Sequence, residues 1–123
     1  MEYEILFYRT AKGRSSVEEF LNSLDKQAQG DKKSYKLFEK IYFYLEVLEK
    51  YGPRAGFPYT KYIGDSLWEL RPKDYRIFFF LWYENRIILL HCFQKKSQKT
   101  TKKEIEKARQ RMDDWMKNGD KRL

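Results

Sequence analysis

The sequence predicts an α+β fold: a small, mainly antiparallel β-sheet with an N-terminal helical hairpin packed on it and a C-terminal helix. Three observations predict it. Two stretches between residues 16 and 52 repeat apolar side chains at helical spacing. The aromatic-rich segment from Leu67 to Gln94 is instead cut into short apolar runs by two turn signals. The last part of the chain then returns to helical spacing and stops at Gly119.

Taken in order, Glu2 to Tyr8 alternates as a strand does, with Tyr3, Ile5 and Phe7 on one side and Glu2, Glu4, Leu6 and Tyr8 on the other. Ser16 and Glu19 have capping-box spacing and open a helix reaching Gln29, with Val17, Phe20, Leu21, Leu24 and Ala28 as its apolar stripe. Gly30 ends it. Asp31 starts a second helix, in which Phe38, Ile41, Leu45 and Leu48 recur before Gly52-Pro53 stops it. Residues 54–63 hold Gly56 and Pro58 and predict a loop or short extended piece. Three strands follow, the last two being Tyr75 to Tyr83 and Arg86 to Gln94 around a two-residue loop, Glu84-Asn85. Thr101 and Glu104 repeat the capping-box spacing, and Ile105, Ala108, Met112, Trp115 and Met116 form the stripe of the final helix.

Pairing Tyr83 with Arg86 sets an expected register. One sheet face then collects Glu69, Arg71, Arg76, Phe78, His91 and Phe93. The other collects Trp68, Leu70, Ile77, Phe79, Leu81, Ile88, Leu90 and Cys92, and should take the helices.

The 123 residues suffice for one domain, 1–123, with its own core, and the 41% hydrophobic content excludes a disordered basic tail. The net charge of +8 favours an anionic partner. Most of it lies between Lys61 and Lys103, where ten Lys/Arg stand against four Asp/Glu. One cysteine excludes an internal disulfide and one histidine leaves no His/Cys set for zinc, so no metal or cofactor is expected. The lone thiol fits a reducing cytoplasm. The acidic, alternating N-terminus is unlike a signal peptide, and the apolar run 77–92 is interrupted at Glu84-Asn85-Arg86, so no membrane span is expected.

The chemistry concentrates where the sheet runs into lysines. Lys95, Lys96, Lys99, Lys102 and Lys103 put five charges in nine residues, beside Arg71 and Arg76 around the turn. Aromatics interleaved with cations make a platform for single-stranded RNA, with phosphates on the cations and bases on the rings. Lys61, Lys73 and Phe93 extend that surface, and Tyr59 and Tyr62 lie beside it in sequence; ordinary loop anchoring is the plainer reading of Tyr59, Lys61 and Tyr62. Such a surface can cut RNA by attack of a ribose 2′-OH on the adjacent phosphate, giving a 2′,3′-cyclic phosphate and a free 5′-OH. The step needs a base, cations for the phosphorane and an acid for the leaving oxygen. Arg71 and Arg76 suit the phosphorane. Lys95, Lys96, Lys99, His91 and Glu69 are all candidate bases. Against those roles stand core packing for His91 and a salt bridge to Arg71 or Arg76 for Glu69. Cys92 is expected on the core face and inert.

The runs LWELR, YRIFFF and ILLHCFQKKSQKT, with KEIEKA after them, resemble the RelE-type toxins of the RelE/ParE superfamily, and within them the HigB branch of phage-derived Gp49-like proteins. The resemblance implies a RelE-like fold. It also implies a toxin of a type II toxin–antitoxin pair, a metal-independent endoribonuclease that cleaves mRNA in the ribosomal A site and so inhibits translation. Its partners would be the ribosome, mRNA and a helix-turn-helix, HigA-like antitoxin. Arg76 then matches the arginine after the tyrosine of the middle strand, and Arg71 a basic residue of the preceding strand. Lys95 and Lys96 fall where RelE places a catalytic basic residue, and Lys99 belongs to the lysine run of the Gp49-like branch. Two departures stand out: Glu69 and Leu67 replace basic residues of RelE, and the C-terminal catalytic tyrosine of RelE has no counterpart near Thr101. A non-catalytic nucleic-acid-binding or antitoxin-binding module is the alternative.

Overall fold

The computed structural model describes residues 2–97 and 102–119. In chain order these form β1 (Glu4–Phe7), α1 (Ser16–Ala28), α2 (Lys32–Tyr51), a 3-10 turn (Pro53–Ala55), β2 (Thr60–Gly64), β3 (Leu67–Leu70), β4 (Tyr75–Trp82), β5 (Arg86–Gln94) and α3 (Lys102–Asn118). The sheet runs β1-β5-β4-β3-β2. β1 lies parallel to β5, and every other pairing is antiparallel. This is the α+β architecture the periodicities predict.

The hairpin α1–α2 forms because each helix has a cap and one apolar stripe. The cap of α1 is Ser15, whose Oγ accepts the Glu18 N–H at 3.1 Å. The box expected at Ser16 and Glu19 does not form, because Ser16 is already the first helical residue; the Glu19 carboxylate is taken bidentately by Arg14 at 2.8 and 3.0 Å. Arg9 holds Glu18 in the same way at 2.9 and 3.0 Å. Asp31 caps α2 as its position implies, accepting from the Lys33 N–H and the Ser34 hydroxyl. Val17, Leu21 and Leu24 of α1 and Ile41, Tyr44 and Leu48 of α2 pack on Leu70, Ile77, Phe79, Ile87 and Leu89 of the sheet. Full burial of each such side chain is worth about 1.5–3 kcal/mol. The segment expected as a loop or short extended piece before β3 contributes the edge strand β2, anchored by Thr60, whose hydroxyl donates to the Pro53 carbonyl at 2.7 Å.

The face assignment differs from expectation near the β4–β5 hairpin. Trp82, not Tyr83, faces Arg86, so the loop has three residues, with Glu84 and Asn85 both left-handed at φ 59° and 57°. Pairing follows the expected register from Tyr75↔Gln94 to Phe78↔His91. It then shifts by one residue, with Phe79 opposite Leu89. This bulge at Leu90 turns Ile88 and Leu90 away from the hairpin. Leu81 stays opposite Ile87 and is 45% exposed. Ile88 and Leu90 join Leu67, Phe78, Phe80 and Trp82 in a second apolar face, which α3 covers with Ala108, Met112 and Trp115. The helices therefore take both faces of the sheet. Met116, expected in the α3 stripe, is exposed, and the expected cap Thr101 lies outside the described residues. No helix among the described residues is long and apolar enough to cross a membrane.

Candidate nucleic-acid interface

The end of the sheet where β3 turns into β4 gathers the cations. Pro72 to Tyr75 make the turn, closed by the Tyr75 N–H to the Pro72 carbonyl at 2.9 Å, with Lys73 left-handed at φ 53°. Arg76 folds back over it, and its Nη1 donates to the carbonyls of Lys73 at 2.9 Å and Tyr75 at 2.7 Å. β5 is fastened to the same turn. The Lys95 N–H donates to the Asp74 carbonyl at 2.6 Å, and the Gln94 amide donates to the Asp74 carboxylate at 2.8 Å. Lys95 thus emerges half-buried beside the turn and Lys96 exposed beyond it.

Glu69 sits at the centre of this end. The register places it between Lys61 on the edge strand and Phe78 on β4. It is 1% exposed. Its Oε2 lies 3.3 Å from Arg71 Nε and 3.8 Å from Arg76 Nε. Neither approach is aligned as a hydrogen bond, so Oε1 and both Nε atoms are buried without a hydrogen-bond partner. The carboxylate thus holds its arginines by charge at close range. Burial is the main influence on Arg76, which is 9% exposed, and it lowers the pKa from the ordinary value; the Glu69 charge works in the other direction. Arg71 is the more open of the two, its side chain 27% exposed, and its N–H is pinned to the Tyr59 carbonyl at 2.9 Å. Among the described residues, Arg71 Nη1 and Nη2 and Arg76 Nη2 have no hydrogen-bond partner.

Phe93 faces Arg76 across the β4–β5 ladder. Its ring lies 5.3 Å from that of Phe78 and 5.5 Å from that of His91, nearly parallel to the latter. Lys61 and Lys73 are exposed on the edge strand and the turn. Lys102 and Lys103 are exposed on the first turn of α3, which Glu104 ties to the same row of the sheet through His91. The structure therefore brings Arg71, Arg76, Lys95, Lys96, Lys61, Lys73, Phe93, Lys102 and Lys103 to one end of the sheet. Lys99 lies outside the described residues.

His91 is 7% exposed, and both its nitrogens are engaged. Nε2 is 2.8 Å from a Glu104 carboxylate oxygen, and Nδ1 is 3.5 Å from Arg111 Nη1. With Nε2–H donating to Glu104, Nδ1 becomes the acceptor for the guanidinium. Burial pushes the imidazole pKa below its ordinary value, with the Glu104 hydrogen bond opposing. Arg111 also donates to the Leu90 carbonyl at 2.8 Å and to Ser16 at 2.9 Å, so one guanidinium joins α3, the bulge and α1. Sequence reasoning missed this residue. The available signal was a cation placed one position before Met112 of the apolar stripe. Cys92 lies beside the hairpin core, where burial pushes its thiol up to about 12. Among the described residues, no three of His, Cys, Asp and Glu are grouped as metal ligands would be.

The family model described as phage derived protein Gp49-like matches residues 19–113, a stretch that includes the β3–β4 turn, both arginines and the lysine run. The chain belongs to the phage-derived Gp49-like family. Gp49-like proteins fall within the RelE/ParE-like toxin superfamily, and membership of a toxin–antitoxin family implies an antitoxin as partner. No curated protein matches the chain.

Proposed function

We propose that this Gp49-like protein is a toxin of the HigB branch, an endoribonuclease that cuts mRNA on the ribosome and is held in check by a helix-turn-helix antitoxin. The observation that carries the reading is the convergence of Arg71 and Arg76 on one buried carboxylate, at the sheet end where Lys95 and Lys96 emerge. In this reading the free guanidinium nitrogens of Arg71 and Arg76 hold the scissile phosphate and the charge that builds on it. Phe93 takes a base, and Lys61, Lys73, Lys102 and Lys103 meet flanking phosphates. The proton acceptor for the 2′-OH is a lysine. Glu69 Oε1 is shut off from solvent, and His91 is committed to Glu104 and Arg111, so neither meets the hydroxyl. That leaves Lys95 and Lys96, with Lys99 carried by resemblance. Proton transfer back to the leaving 5′-oxygen by a second lysine completes the reaction and leaves a 2′,3′-cyclic phosphate.

One observation favours the alternative of a non-catalytic binding module: Arg76 spends one nitrogen on two turn carbonyls and is itself nearly buried. Cleavage of an mRNA, free and on programmed ribosomes, by wild type and by Arg71→Ala and Lys95→Ala separates the two. The toxin reading expects ribosome-dependent cuts with cyclic phosphate ends, lost in both variants. Absence of cuts with RNA binding intact supports the binding module.

A further inference from the structure

We propose that Glu69 is the positioning residue of this site: its carboxylate fixes the Arg71 and Arg76 guanidiniums in the orientation that receives the scissile phosphate. The inference rests on the reading of this sheet end as an RNA-cleaving centre.

A glutamate at this point is an expensive choice. It lies on a strand directly opposite Phe78, which is fully buried, and burying a carboxylate costs several kcal/mol in order of magnitude unless it is compensated. Compensation here is incomplete. Oε1 accepts no hydrogen bond, and neither arginine Nε is aligned to give one. An apolar side chain would fill the position without that cost. What the carboxylate does supply is geometric. It draws Arg71 Nε to 3.3 Å and Arg76 Nε to 3.8 Å of one oxygen, so a side chain just past the end of β3 and one from β4 meet around a single point. The turn carbonyls then take Arg76 Nη1, and Arg71 Nη1 and Nη2 with Arg76 Nη2 remain for a ligand. Two like charges would otherwise separate. Between them, the carboxylate offsets that repulsion and leaves the trio with one net positive charge, matched to one phosphodiester.

Position and charge make opposite predictions, and this gives the test. Removing the negative charge makes the site more cationic, so electrostatics alone predicts tighter RNA binding and faster cleavage. Positioning predicts tighter or equal binding with slower cleavage. The experiment uses the full chain, on whichever substrate the wild type cuts, free or ribosome-bound mRNA. It compares wild type, Glu69→Gln and Glu69→Asp in single-turnover cleavage rate, in affinity over a range of salt, and in folded fraction by circular dichroism. Glu69→Gln is expected to lower the rate constant by about 10- to 100-fold, the scale of a misplaced reacting group. Its salt slope should steepen by up to about 0.7 for the added charge. Glu69→Asp restores the charge but not the reach, and is expected to stay slow; it also answers for a Gln variant that folds poorly. The proposal is overturned if Glu69→Gln binds tighter and cuts as fast as wild type, if Glu69→Asp is fully active, or if rates fall only in step with folded fraction. A wild type that cuts neither substrate overturns the nuclease reading itself, a result distinct from any of these.

Discussion

Replacing Arg76 by alanine is expected to unfold the turn as well as empty the site, and the size of that effect follows from its contacts. Arg76 carries two charged hydrogen bonds to the carbonyls of Lys73 and Tyr75, and it is one of two cations facing the buried Glu69. Removing one partner of a buried ion pair costs about 3–5 kcal/mol, because the remaining charge is left uncompensated. Two features place this case at the lower end. Glu69 keeps Arg71 at 3.3 Å, and removing Arg76 relieves the desolvation that dominates its own titration. The expected loss is therefore about 3 kcal/mol. A 123-residue chain unfolds with an entropy on the order of 0.26 kcal/mol/K, so Tm should fall by roughly 12 °C. Urea and thermal unfolding of the two proteins measure both quantities. A loss below about 1 kcal/mol would refute the reasoning, since it would mean that Glu69 and the turn carbonyls find equivalent partners without Arg76. Arg71→Ala is the cleaner functional probe. It leaves the hydrogen bonds of the turn intact, but it takes the nearer cation from the buried Glu69, so about 3 kcal/mol is the appropriate scale here too.

The remaining predictions concern the supports of the site. The folded-state pKa of His91 lies below 6.5, so the unfolded chain binds the extra proton first; the stability it contributes is complete above pH 6.5 and is lost as pH falls through that value toward the folded pKa. Urea titrations of wild type and His91→Gln between pH 5 and 7.5 should show the wild-type slope flattened in the variant, with Glu104, Arg111 and Lys107 as the charged neighbours involved. Cys92, its thiol pushed up to about 12, should resist alkylation at pH 8 in the native protein and react once urea unfolds it; equal rates in both states would contradict its placement. Gly52 has φ 75°, and a Cβ there would meet the Tyr3 ring, so Gly52→Ala should cost about 1–3 kcal/mol in thermal unfolding and leave the cationic end untouched.

The elements whose apolar residues fall at one clear period were legible before the structure. The α1–α2 hairpin is one, since its stripes and the Asp31 cap are local features. The start of β1 is another, where alternation put Tyr3, Ile5 and Phe7 on one side, the side that packs against the hairpin core. β4 and β5 were harder for a physical reason. Ile77 to Phe80 and Ile87 to Leu90 are apolar at every position, because both sheet faces are covered, and a continuous run carries no face label. The bulge at Leu90 then decided which residues met α3, and nothing in the local sequence marks it. The site shows the same division. Two arginines flanking a turn, with lysines at the following strand end, could be read from spacing. The task of Arg76 in holding carbonyls of its own turn is also local, but it becomes visible only once Lys73 takes its left-handed conformation. The capture of His91 by Glu104 and Arg111 depends on α3 covering the face that carries His91, whereas the expected assignment sent the helices to the other face.

The central claim is that the arginine pair and the adjoining lysines cut RNA. The measurement that tests it most directly is end mapping of an mRNA incubated with programmed ribosomes and either wild type or Arg71→Ala, with folding of both proteins verified by circular dichroism. The account predicts cuts by the wild type that leave 2′,3′-cyclic phosphate and 5′-hydroxyl ends, and their loss in the folded variant. Cuts of equal rate in Arg71→Ala, or ends bearing a 5′-phosphate, would contradict it.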